Sequence, residues 1–252
     1  MKLFFVGSGA AINSTMFKSC YLINDRILID ASPEVATILN RHNTDLNNLS
    51  GVLTTHLHGD HILGLPLLLT EFLVHPYTGD KFRICGPLGI EQVTKSLLSI
   101  SYPEVNPDNF ISKSKAHFEI LRPNTTLDFG DITIEVVPVV HGAVQAYGFY
   151  IRGTDASLFI TGDTCLCREV KENVKRADFS LVDVTTIAEK LPTHMNLSDL
   201  QEIQESISRS QHLFAVHRTF SNAEPMEQVV FPKDFEAYEL KTGCQPTLLK
   251  PE

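Results

Sequence analysis

A mixed α/β fold, with sheets covered by helices in one layered domain over residues 1–252, is what this sequence predicts. Three observations lead there. Short β-rich runs and longer runs with helical apolar spacing are mixed in both halves of the chain. A length of 252 residues is enough for one large core. Hydrophobic content of 43% with charged content of 20% argues against extended disorder, and no tandem repeat or low-complexity linker divides the chain.

Strands are expected at 3–6, 21–23, 27–29 and 52–55, each run bounded by Gly, Asn, Asp or Ser. Length and apolar spacing predict helices over 32–39, 62–74 and 89–100. Strands resume at 132–140, 148–151, 157–161 and 179–184. Ser198 and Gln201 have capping-box spacing ahead of a helix carrying Leu200, Ile203 and Ile207, and a last strand over 212–216 runs directly into His217. The stretch of about 101–118, polar and containing Pro and Asn from Pro103 to His117, predicts a long loop or insertion. Beyond Phe220 no element is readable, so 221–252 is expected as a C-terminal tail.

The formal charge of −9 and the lack of a long basic run exclude a surface coated for nucleic-acid backbone. Two divalent cations would offset about four of those negative charges. Cys20, Cys85, Cys165, Cys167 and Cys244 form neither a zinc-ribbon spacing nor a dense disulfide framework, which fits reduced thiols in a cytosol. Met1-Lys2-Leu3-Phe4-Phe5-Val6 imitates the start of a signal peptide, but Gly7 and Gly9 interrupt it early. The best apolar run is cut by Gly64 and Pro66, short of the ~18 residues of a membrane span. A soluble, cytoplasmic protein with no membrane contact is expected.

The chemistry is concentrated in Thr55-His56-Leu57-His58-Gly59-Asp60-His61, between a predicted strand and a predicted helix. A strand-to-helix turn can aim alternate side chains into one cavity, and neutral imidazoles with a carboxylate make a good zinc set. Lone histidines are the usual chance event, whereas a cluster with Asp is not. Elsewhere, His141 ends a predicted strand, and Asp163 lies in the Gly162-Asp163 turn, where an Asp is ordinarily just a turn residue. His212 and His217 bracket one strand, and by composition either could be a ligand.

The run His56-Leu57-His58-Gly59-Asp60-His61 resembles, without a gap, the His-x-His-x-Asp-His signature of the metallo-β-lactamase superfamily. Order and spacing are similar over nearly the whole chain to Phe220. The resemblance implies a four-layer αββα sandwich. It also implies a binuclear metallo-hydrolase with one metal held by His56, His58 and His141, a second by Asp60, His61 and His217, and Asp163 bridging. His217 is preferred to His212 because the family places this ligand at the strand's C-terminal end. Two divalent ions some 3.5 to 4 Å apart can share a hydroxide, and a zinc-bound water has a pKa near 7. Asp30 matches an acid that orients a metal-bound His in the family. Mixed imidazole and carboxylate sites accept several metals; zinc is expected, with manganese as the alternative. True β-lactamases commonly place a Cys where this chain has Asp163, and Cys165 and Cys167 are out of register.

Phe5-Val6-Gly7-Ser8-Gly9-Ala10-Ala11-Ile12 looks like the Gly-x-Gly opening of the tRNase Z-like branch. Asp183-Val184-Thr185 is similar to that branch's Glu-Ala-Thr, and His194 sits where the branch has a His opening a helix. The resemblance implies catalytic roles for Asp60, Asp183 and His194, with Asp183 orienting His194 and His194 protonating the leaving oxygen after hydroxide attack on phosphorus. Two departures stand out. His217-Arg218-Thr219-Phe220 lacks the aromatic-Ser pattern after the last His. No basic tRNA-gripping arm is visible, since 72–110 holds Lys81, Arg83 and Lys95 against Asp80, Glu91, Glu104 and Asp108. The chain is most similar to phage-type anti-Pycsar proteins, which implies hydrolysis of 3′,5′-cyclic nucleotides, suppression of bacterial cyclic-nucleotide immunity in a host cytoplasm, and a homodimer. No stable nucleic-acid partner is expected. The alternatives are a tRNA 3′-processing endoribonuclease and a catalytically silent nucleotide-binding module.

Overall fold

The structure, a computed structural model, describes residues 1–250. Its strands are β1 (Lys2–Gly7), β2 (Cys20–Ile23), β3 (Ile27–Ile29), β4 (Gly51–Leu53), β5 (Phe82–Gly86), β6 (Ala116–Ile120), β7 (Thr126–Asp128), β8 (Thr133–His141), β9 (Val144–Arg152), β10 (Ser157–Ile160), β11 (Phe179–Asp183), β12 (His212–Val216), β13 (Val229–Val230), β14 (Ala237–Glu239) and β15 (Thr247–Leu248). The helices are α1 (Val35–Arg41), α2 (Gly59–Ile62), α3 (Leu65–Val74), α4 (Ile90–Ser101), α5 (Pro107–Lys113), α6 (Arg168–Val174) and α7 (Leu197–Ser206). One sheet has the order β15-β14-β1-β2-β3-β4-β5-β6 and the other β13-β12-β11-β10-β9-β8-β7.

Side-chain alternation along the strands produces the layers. On β1, Leu3 and Phe5 point to the core between the sheets, with Ile134, Phe149, Leu181 and Phe214 of the second sheet. Phe4 and Val6 point the other way, into a core with Val35, Ile38, Leu68, Phe72 and Leu98 of the covering helices. The outer face of the second sheet packs Phe159, Val182 and Ala215 against Val170, Val174, Leu200 and Ile203. The resulting order of helices, sheet, sheet, helices is the predicted αββα sandwich. Strands buried on both faces read as continuous apolar runs, which is why β1 shows no polar alternation.

Four expectations change. The helix expected over 62–74 is two helices, because the chain turns at Leu63 and Gly64, where a Cβ would run into the Ser32 carbonyl. The loop expected at about 101–118 contains α5, whose N-cap Asn106 accepts from the backbone N–H of Asp108 and Asn109 and whose Phe110 is buried. The Pro and Asn read as loop formers are a helix start. The capping box belongs to Asn196 and Asp199, with Ser198 donating to Asn196 Oδ1, instead of Ser198 and Gln201. The segment expected as a tail contributes three strands: β14 pairs antiparallel with β1, β15 with β14, and β13 runs parallel to β12.

Candidate metal centre

The site residues sit where strands end. His56 follows β4, His141 closes β8, Asp163 follows β10, Asp183 closes β11 and His217 follows β12. Strands β10, β11 and β12 run parallel, so their C-terminal ends share one edge and bring together side chains from distant parts of the chain. From the first sheet, β4 delivers the His56–His61 run to the same place, with α2 starting inside it and presenting Asp60 and His61. His217 takes a left-handed backbone (φ 53°), as does Asp30 (φ 62°), a conformation uncommon for residues other than glycine and enriched at functional sites.

Two groups form. His56, His58 and His141 offer nitrogen atoms within 4.8 Å of one another, and Asp60, His61, Asp163 and His217 offer atoms within the same limit. In the first, His58 Nδ1 and His141 Nε2 approach to 3.2 Å. In the second, His61 Nε2 lies 3.2 Å from Asp60 Oδ2 and 3.4 Å from Asp163 Oδ2, and His217 Nε2 lies 3.5 and 3.2 Å from the same two oxygens. Asp163 Oδ2 is also 3.8 Å from His56 Nε2, which places this one carboxylate between the groups. All seven residues expected as metal ligands are therefore brought together.

A third set, Asp163, Asp183, His194 and His217, overlaps the second and also offers atoms within 4.8 Å of one another. His194 Nδ1 lies 2.8 Å from Asp183 Oδ2, and its ring centroid is 4.8 Å from that of His141 and 5.1 Å from that of His217. Asp183 is fully buried and its Oδ2 also accepts the Thr164 backbone N–H at 3.0 Å. His212 stands at the opposite end of β12, stacked on Phe179, outside either group. Cys165 and Cys167 are half-buried free thiols, and burial pushes the Cys165 thiol up.

The donor set fits divalent cations on two grounds. Buried polar atoms without a partner are rare, yet His56 Nε2, His61 Nε2, His217 Nε2 and Asp60 Oδ2 are buried and make no hydrogen bond. They converge on shared space instead. Electrostatics gives the second ground. Burial opposes protonation of His61 and His217, but Asp163, with Asp30 beside His61, nevertheless holds both imidazoles above their ordinary value. Burial opposes ionisation of Asp163, and His217 and His61 hold it well below the carboxylate range. The second group thus demands positive charge, which protons supply when no cation does. His56, pushed down to about 2 by burial and then by the charge of His61, stays neutral, the state an imidazole ligand needs.

The outer hydrogen bonds fix the rings. Asp30 Oδ2 lies 2.7 Å from His61 Nδ1, the orienting role expected of it, and His141 Nδ1 donates to the Thr193 carbonyl at 2.9 Å. Sequence reasoning missed the hydroxyls of Thr55, 3.1 Å from His56 Nδ1, and Thr185, 2.9 Å from His217 Nδ1. The signal was available only as position, one residue before His56 and two after Asp183.

The family described as Anti-Pycsar protein Apyc1 matches residues 1–230. Among curated relatives, a Ribonuclease Z of Oceanobacillus iheyensis is 25% identical over 162 residues, 62% of this chain and 51% of its own length. A Ribonuclease Z of Macrococcus caseolyticus is 24% identical over 200 residues, 76% of this chain and 62% of its own length. The chain spans about half the length of the curated relatives it matches. Among solved structures, a diphosphatase of the PhnP family superposes with a TM-score of 0.74 at 17% identity, covering 96% of this chain and 98% of its own. The short form of human tRNase Z does so with a TM-score of 0.74 at 18%, covering 94% and 98%. Zinc-bound PqqB from Methylobacterium extorquens gives 0.67 at 15%, covering 95% and 100%. These likenesses establish the metallo-β-lactamase fold. Among the described residues no helix is long and apolar enough to cross a membrane.

Proposed function

The chain belongs to the anti-Pycsar protein Apyc1 family, and from that premise we propose that it is a binuclear metal-dependent phosphodiesterase hydrolysing 3′,5′-cyclic nucleotides. The observation that carries this reading is the joining of two cation-binding groups through Asp163, beside a buried Asp183–His194 pair. Two divalent cations bound there, zinc or alternatively manganese, would supply an activated water and stabilise the charge of the phosphoryl oxygens.

The protein's own groups do the rest. His56, His58 and His141 offer imidazole nitrogens alone, while Asp60, His61, Asp163 and His217 add two carboxylates. With Nδ1 donating to Asp183, His194 leaves Nε2 free of that bond, and its partial exposure lets that atom reach a bound phosphodiester. A proton held at His194 Nε2 passes to the departing ribose oxygen as the cyclic ester opens. Asp183 accepts from Nδ1 and so orients the imidazole toward the substrate space.

Charge supports a small substrate over a long nucleic acid. Of the basic residues in 72–110, Arg83 is held by Glu119 at 2.7 Å, and Lys95 by Glu91 and Asp108 at 2.7 and 2.8 Å. The similarity to Ribonuclease Z favours a second reading, tRNA 3′ processing. Family membership supports suppression of bacterial cyclic-nucleotide immunity in a host cytoplasm, and a homodimer, which light scattering tests.

The deciding experiment incubates purified, metal-analysed protein with cyclic mono- and dinucleotides, precursor tRNA and a β-lactam, and identifies products. Linear nucleotides from the cyclic substrates are the expected result. Precursor-tRNA cleavage that falls steeply with salt would move the assignment to the second reading. Nucleotide binding without turnover by the fully metallated protein would make it a silent binding module.

A further inference from the structure

Two buried carboxylates outside the seven expected ligands, Asp30 and Asp183, are used in the same way in the two halves of the fold. Asp30 Oδ2 lies 2.7 Å from His61 Nδ1 and accepts the Thr55 hydroxyl at 2.9 Å, while Thr55 Oγ1 lies 3.1 Å from His56 Nδ1. Asp183 lies 2.8 Å from His194 Nδ1 through Oδ2 and accepts the Thr185 hydroxyl through Oδ1 at 2.7 Å, while Thr185 Oγ1 lies 2.9 Å from His217 Nδ1. Each carboxylate thus holds one histidine directly and faces a second across a threonine.

The direction of these bonds follows from donor counting. A threonine hydroxyl has one hydrogen, and an ionised carboxylate only accepts. The hydroxyl hydrogen therefore goes to the carboxylate, and the imidazole Nδ1–H donates to the threonine oxygen. That leaves Nε2 of His56 and of His217 directed away from the threonines, and both atoms are buried without a hydrogen bond, as ligand atoms would be. The main chain of Thr185 is itself pinned, its N–H donating to the Met195 carbonyl at 3.0 Å and its carbonyl accepting the Thr219 hydroxyl at 2.7 Å. It therefore ties the segment carrying His194 to the one carrying His217.

We propose that Thr185 is a positioning residue that couples the His194–Asp183 pair to the metal group of His217, and that Thr55 plays the matching part for His56 through Asp30. The proposal rests on the metal-dependent reading above. Thr185 fixes the tautomer of His217 and the rotamer of Asp183 with one hydroxyl, so cation retention in the second group and proton delivery by His194 depend on the same atom.

The test is a paired set of isosteric variants read by zinc removal with a chromophoric chelator, together with kcat and KM. Thr185→Val is expected to weaken zinc in one of the two sites about 10–100-fold, the usual cost of losing an outer partner, and to lower kcat with KM held. Thr55→Val is expected to weaken the other site, and Thr185→Ser to restore both readouts. If Thr185→Val does not fold, Thr185→Ala removes the same hydroxyl and carries the same expectation. Wild-type zinc affinity and kcat in Thr185→Val overturn the proposal, as does equal loss from both sites or failure of Thr185→Ser to recover. Absence of cyclic-nucleotide turnover by the wild type would sink the substrate assignment but leave the chelator result to decide on Thr185.

Discussion

The two candidate metal groups meet at Asp163, a member of the second that lies 3.8 Å from His56 of the first, and they differ in composition and exposure. His56, His58 and His141 form an all-imidazole set in which His58 is exposed to solvent. Asp60, His61, Asp163 and His217 bring two carboxylates, and Asp30 backs His61 from behind. His58 is the one exposed member of the first, His56 and His141 being buried, while the second has Asp60 half-buried and the rest buried. Carboxylates are concentrated in one group and solvent exposure in the other. The proposed function then leads us to expect tighter cation retention in the carboxylate-rich group and easier access at His58.

The largest expected effect comes from removing what the groups share. Asp163→Ala should reduce turnover by about 10⁴-fold or more, because both cations lose a ligand and each supplies several kcal/mol of charge stabilisation; metal content by mass spectrometry should fall for both sites. Retention of two tightly held ions would break the picture of a shared carboxylate. Next, His58→Ala and Asp60→Ala should each lower turnover about 10³-fold while emptying different sites. The comparison predicts that a mild chelator strips the His58→Ala protein of one ion and leaves the other in place. Loss of both ions together from His58→Ala would show that the groups are not separable.

His194→Ala should lower kcat by about 10²-fold or more, with metal content and KM held, as removal of a general acid does. A thermally stable variant with normal kcat would remove His194 from the chemistry. The smallest effect belongs to a pair outside both groups. Arg83 holds Glu119 below the usual carboxylate range, so the pair's stabilisation is present at neutral pH and fades as pH falls through the folded value of Glu119. Glu119→Gln should cost no more than about 1 kcal/mol, a partly exposed pair being screened. Its melting temperature should rejoin the wild type's in acid, and its metal content should not move.

The second group's local half was readable because Asp60 and His61 lie in a run where the ligand types crowd together between a strand and a helix. His141, Asp163 and His217 were readable only as strand-end residues of the right type, and the family resemblance supplied their order. Thr55 and Thr185 were not readable as functional groups. A threonine near a histidine is common, and what matters is a hydroxyl hydrogen committed to a carboxylate while its oxygen faces a histidine, Asp30 from another strand for Thr55 and His217 from another strand for Thr185. The helix at Pro107–Lys113 and the strands after Phe220 were missed for related reasons. Proline marks a helix start as readily as a loop, and two- or three-residue strands have no periodicity of their own.

By itself, then, the sequence determined the layered α/β class, through runs whose apolar spacing is local, and the run His56–His61, whose ligand density needs no partner to be recognised. Folding in three dimensions sets Asp163 between two groups, turns His217 and not His212 toward them, and puts Asp30 against His61 and Asp183 against His194, each with a second histidine across a threonine. The physical reason lies in what each property depends on. Periodicity and residue type are carried by neighbours along the chain, whereas ligand convergence and hydrogen-bond direction arise where β4 and the parallel strands β10, β11 and β12 end against one another.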